Sequence, residues 1–342
     1  MAPAGPMVLG VVYALLSGVC NGLFTAPMKV IPRWKWENIW LVFILTSCIA
    51  MPVTVVWATV PDLAEILRQS PTGAVTAALG FGFSWGFGAI LFGLSVDRLG
   101  VAVANSLVIG LSSALGSLVP LILSGAIRLE IRQVILFLGV FTFLVGVWLC
   151  GSAGRLRDAK TIKESGGEGV PWAGYLFAIG SGCMSAVFNI GYSLALPIAD
   201  AGEALGDARF LSTNCIWLLM LGAGSIPNIV FCTLLLRKHG SAPLFADREP
   251  HRTWGLAVLM GLLWGGSIFL YGAATPLLGD IGPSIGWPLS LAVALLVANL
   301  MGVLLGEWRT AGTEATRKMR LGILTLLAAI TVCALSTRLG SE

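Results

Sequence analysis

Among the residues that combine polar chemistry with a position inside long apolar stretches, seven are the candidates for a binding site: Trp85, Trp264 and Trp287; Asn21, Asn105 and Asn189; and Tyr271. An indole presents a large, rigid apolar face and a single N–H donor, which suits the C–H face of a sugar ring. Amide and phenol groups supply donors and acceptors for hydroxyls. In an apolar medium they must find either a protein partner or a ligand. Such a set fits recognition of a neutral, hydroxyl-rich small molecule. Ordinary helix packing and helix-to-helix hydrogen bonds are the competing explanation for each member.

Charge is placed differently. No Asp, Glu, Lys, Arg or His stands in the middle of an apolar run, and the two histidines, His239 and His251, are expected in one loop. A charge in mid-bilayer is costly and usually marks an ion or proton route, so its lack favours an uncharged substrate. A coupling proton would have to use a carboxylate at a helix end. Glu307, Asp280 and Asp97 are the candidates, with Glu37 behind them, although Arg309 and Arg98 beside two of them make plain ion pairing a sufficient reading. Nothing resembles a converging nucleophile, acid and base, so an enzyme is not expected. The seven cysteines form no CxxC or Cys/His pattern and read as small packing residues, with no metal or cofactor implied.

The elements that must position these residues are membrane helices. In 342 residues, 56% are hydrophobic and 11% charged, with mean hydropathy +0.88, far from the roughly 25% charge of soluble domains. Ten runs can span a bilayer as helices: about 8–29, 38–60, 72–96, 101–124, 132–151, 171–196, 209–236, 253–277, 282–306 and 320–338. The odd-numbered connections hold sixteen Lys and Arg; the even ones and the termini hold five. The positive-inside rule then puts both termini outside. Trp34, Trp36, Trp40, Trp57, Trp172, Trp254 and Trp308 fall at span ends and read as an interfacial belt.

Residues 82–100 and 261–279 are related copies, identical at seven of nineteen aligned positions, Trp85 matching Trp264. A weaker echo aligns 10–24 with 174–188. Two copies of five spans must enter the membrane in opposite senses, so the expected fold is an all-α inverted repeat. Residues 1–151 and 171–342 form the halves, and 152–170 a flexible cytoplasmic linker. Inverted repeats of this kind are typical of secondary transporters, whose substrate site lies near mid-membrane between the repeats.

The stretch Ala26-Pro27-Met28-Lys29 with Trp34-Lys35-Trp36-Glu37 resembles the helix 1–2 connection of the bacterial L-rhamnose–proton symporter family, within the drug/metabolite transporter superfamily. The similarity continues through Trp85-Gly86-Phe87-Gly88, Phe92-Gly93-Leu94, Asn228, Trp264, Tyr271 and Trp287 to Glu307-Trp308 and Ala311-Gly312. The resemblance implies ten helices, alternating access, and proton-coupled uptake of a deoxysugar across the inner membrane. Its partners would be a small neutral sugar, protons and the lipid bilayer, with no nucleic acid. A drug or metabolite exporter and an uncoupled sugar facilitator are the alternatives from the same superfamily.

Overall fold

The computed structural model describes residues 4–99, 101–123, 130–164, 172–246, 250–279, 282–304, 306, 308 and 311–338. Among these there is no strand. The chain forms α1 (Ala4–Leu23), α2 (Trp36–Ile44), α3 (Met51–Thr59), α4 (Leu63–Gln69), α5 (Thr72–Leu99), α6 (Val101–Leu123), α7 (Ile131–Glu164), α8 (Trp172–Ala195), α9 (Pro197–Ala204), α10 (Arg209–His239), α11 (Pro250–Leu277), α12 (Gly282–Leu304) and α13 (Thr313–Arg338). Each apolar run read from the sequence falls on a helix. Eight described segments are long and apolar enough to cross a bilayer, and Leu107–Leu123 is a shorter apolar helix. The chain is a multi-pass membrane protein.

Local chemistry explains the breaks. α2 and α3 are one rod interrupted by a wide π turn, Leu45–Ala50. Pro52 follows it and has no N–H for the helix ladder; a widened turn absorbs the mismatch. α10 ends at Gly240 with φ 59°, a left-handed cap that a glycine adopts without strain. α7 continues through Glu164, so the first part of the expected flexible linker is helix. Residues 152–164 are mostly Ala, Arg, Leu, Lys and Glu, which favour helix even outside lipid. Residues 165–171 lie outside the description.

Packing respects an exchange of halves. α5 packs on α8 as α11 packs on α1, and α6 packs on α8 as α12 packs on α1. Likewise α5 lies on α10 as α11 lies on α2, and α6 on α7 as α12 on α13. Three pairs join equivalent helices directly: α2 with α10, α6 with α12, and α7 with α13. Glycine makes the closest approaches possible. A Cβ on Gly82 would overlap the Met220 carbonyl, and one on Gly86 would overlap that of Gly224. Small residues replace the missing hydrophobic drive between membrane helices with van der Waals contact.

Candidate functional site

Between the halves lies a cavity of about 180 Å³. Its walls are built from equivalent positions of the two copies: Asn21 and Ser185, Phe24 and Phe188, Trp85 and Trp264, Phe92 and Tyr271. Trp85 and Trp264 do not stand on opposite walls, as the repeat axis alone would allow; they stack on each other, ring centroids 5.1 Å apart and planes 12° off parallel. Phe43 packs edge-on to Trp264 at 5.7 Å and Phe188 tilts against Trp85 at 4.8 Å, so the pair forms the centre of an aromatic floor. Trp287 also lines the cavity, its indole donating to the Ser112 carbonyl at 3.2 Å.

No Asp, Glu, Lys, Arg or His side chain lines this space among the described residues. Ser17 and Ser290 satisfy each other at 2.8 Å, and Ser181 donates to the Gly88 carbonyl at 2.9 Å. Asn21, Thr25 and Ser185, and the indole nitrogens of Trp85 and Trp264, make no hydrogen bond with described residues. These are the polar groups left for a ligand, at the edge of an apolar and aromatic surface. That combination binds one face of a polyol by stacking and its hydroxyls by hydrogen bonds.

Asn189 is placed otherwise than the sequence reading expected. It is fully buried, away from the cavity wall, donating to the Gly116 carbonyl at 2.7 Å and accepting from the Tyr271 hydroxyl. Tyr271 therefore turns its hydroxyl away from the cavity and offers only its ring. A second buried pair, the Tyr192 hydroxyl with Thr275, adjoins it, and Tyr192 stacks flat on Trp217 at 4.4 Å. Thr275 and Pro283 then line a second cavity, also about 180 Å³, next to Arg209. One layer of neutral side chains thus separates the two spaces.

Asn105 lies on α6, but its side chain is outside the description, as is that of Asp97; Asp280 and Glu307 also lie outside the described residues. Glu37 is not an end-of-helix surface group: in the first turn of α2 it is 3% exposed. Its Oε1 accepts from Ser241 Oγ at 2.6 Å and lies 2.9 Å from His239 Nδ1. His239 is the last residue of α10 and His251 belongs to the first turn of α11, so they do not share a loop. Trp34 and Trp40 are buried as well, while Trp57 is 84% exposed and suits the lipid interface. Trp40 lines the cavity and donates to Asn228 Oδ1 at 3.0 Å. Trp217, the cavity-lining place of Trp40, and the Ser241 and His239 partners of Glu37 are what sequence reasoning missed. The closeness of Trp40 to Glu37 on one helix face was the available signal.

A family model described as L-rhamnose-proton symport protein matches residues 4–338. The chain belongs to this family. L-rhamnose-proton symporters of Salmonella paratyphi B, Salmonella newport and Salmonella typhimurium are each 27% identical to it over 336 residues, covering 96% of this chain and 97% of theirs. One solved crystal structure superposes on 100% of this chain and 99% of its own with TM-score 0.57 and 17% identity, a likeness of fold alone. The relatives are symporters, and this chain is a transporter rather than an enzyme.

Proposed function

We propose that this chain carries a neutral sugar or deoxysugar of the L-rhamnose type, together with protons, across the bacterial inner membrane by alternating access. The observation that carries the reading is the cavity at the junction of the repeats. Among the described residues its lining holds no Asp, Glu, Lys, Arg or His; it is floored by the stacked Trp85 and Trp264, and rimmed by unpaired donors and acceptors. Its volume suits one monosaccharide. The family and its named relatives supply the sugar and the proton. The paired packing of helices supports ten spans as an inverted five-plus-five repeat, and the basic residues support both termini outside. An exporter of cationic drugs would be served by an acid in the cavity wall, and none lies among its described residues.

Uptake of labelled L-rhamnose into proteoliposomes, with and without an imposed pH gradient, tests this. Accumulation above equilibrium that requires the gradient is expected. Uptake that only equilibrates would make the chain a facilitator, and no binding or uptake of any monosaccharide would refute the sugar reading.

A further inference from the structure

Glu37 is the one charged side chain fully buried among the described residues, and it ties together helices from the two halves. The other described carboxylates in ion pairs are more exposed: Glu65 with Arg68, Asp200 and Glu203 with Arg209, and Glu314 with Lys318. A buried carboxylate is retained only with partners that hold it, because removing it from water costs several kcal/mol. Here the partner is an imidazole whose side chain is 37% exposed. The cluster therefore has a wet end at His239 and a dry end at Glu37.

We propose that Glu37 and His239 together form the proton-carrying site of the transport cycle; this rests on the symport reading above. With the Nδ1–H tautomer facing Glu37, a proton from water binds at Nε2. The Nδ1 proton passes to Glu37 Oε1, leaving a neutral imidazole and a neutral carboxyl. The reverse sequence releases it. Once the carboxylate is neutral, the charge-assisted hold of α10 on α2 weakens.

Geometry connects this site to the cavity. Trp40 and Phe43 lie one and two turns beyond Glu37 on α2 and are part of the cavity wall. Trp36, next to Glu37, stacks on Trp40 at 5.0 Å. Asn228 accepts from the Trp40 indole and donates to the Gly86 carbonyl at 3.0 Å, beside Trp85. A shift of α2 against α10 therefore moves the wall that a sugar would touch.

The charged or titratable groups around the pair are few. Lys35 binds the His239 carbonyl at 3.3 Å through Nζ, and Cys232 on α10 lies within the electrostatic reach of Glu37. Arg237 and Lys238 stand exposed in the same turn as His239, and His251 and Arg252 are exposed where α11 begins. The short helix Ala242–Ala246 offers no titratable side chain.

Two measurements test the proposal, and the first needs no sugar. His239 and His251 are the chain's two histidines, so histidine-labelled protein gives two ring signals in NMR, assigned with His251→Gln. In Glu37→Gln the His239 titration curve is expected to move, because the facing charge is gone; an unmoved curve overturns the pair. The second compares gradient-driven accumulation with sugar exchange at equal pH in proteoliposomes. Glu37→Gln is expected to lose accumulation to the equilibrium level while losing much less exchange, and accumulation retained in this variant overturns the proposal. Should Glu37→Gln not fold, His239→Gln, altered at the exposed partner, must change the pH profile of accumulation; an unchanged profile overturns it. If the wild-type chain moves no sugar at all, the symport reading falls alone, and the NMR result still decides whether the pair is coupled.

Discussion

Gly93 on α5 and Gly272 on α11 are equivalent positions of the two copies, and each is met by a tryptophan: Gly93 by Trp36, Gly272 by Trp217. The surroundings diverge from there. Trp36 is half-buried beside Glu37, His239 and Ser241, an ionisable cluster joined to water. Trp217 is fully buried, stacked on Tyr192, within the neutral layer that Asn189, Tyr271 and Thr275 complete. Both clusters lie on α11 or on the helices it touches, at opposite ends. The start of α11 meets the Glu37 end, where Trp254 packs on Trp34, and Thr275 lies about six turns beyond Trp254. The two glycine–tryptophan contacts thus lie in different chemistry, one beside a buried carboxylate and an imidazole, the other among neutral hydrogen bonds.

The comparison breaks most visibly at the glycines. Gly272→Ala would drive a Cβ into Trp217 Nε1 inside a fully buried layer, and is expected to destabilise the protein by about 3 kcal/mol. Gly93→Ala meets Trp36 Cζ2 at 3.0 Å, and that half-buried ring can give way, so less than about 1 kcal/mol is expected. Chemical unfolding in detergent measures both, and equal losses would remove the asymmetry. Next in size is Asn189→Ala. It leaves the Tyr271 hydroxyl and the Gly116 carbonyl short of their partner, costing about 1–3 kcal/mol of stability. A neutral layer should make that loss the same at every pH tested; a strongly pH-dependent loss would sink the contrast with the Glu37 end.

Trp264→Ala tests the aromatic floor of the cavity. Sugar affinity is expected to fall by about 1–2 kcal/mol, and Trp85→Ala by a similar amount because the rings stack on each other. Titration calorimetry with unchanged affinity in both variants would remove the indoles from recognition. The smallest effect belongs to the exposed pair on α4. Hydrogen bonds from Arg68 hold the Glu65 carboxyl below its usual range, so any stabilisation is present at neutral pH and fades as pH falls. Solvent screening reduces it to little, and Arg68→Ala should leave uptake and melting unchanged.

How much was legible depended on whether the cause was local. Trp85 and Trp264 could be paired from the sequence because the two copies preserve them, and apolar runs of twenty residues mark membrane helices without reference to neighbours. Trp40 and Glu37 could not be placed that way. Both sit at a span end, where the sequence pattern predicts lipid headgroups or water, and only contact with residues some two hundred positions away buries them. The partners of Asn189 were hidden for a related reason. An amide in a span needs a partner, and the sequence does not say whether that partner is a ligand or the Gly116 carbonyl.

By itself the sequence determined an all-helical membrane chain, the likeness of residues 82–100 to 261–279, and the distribution of charge away from the apolar runs, since composition, period and repetition are properties of the chain alone. Tertiary structure decided which equivalent residues face the cavity and which face each other. It stacked Trp85 on Trp264 rather than setting them apart, and it buried Asn189 and Tyr192 in neutral hydrogen bonds and Glu37 against Ser241 and His239. Burial and pairing are relations between distant segments. They arise only when α2 meets α10 and α8 meets α12.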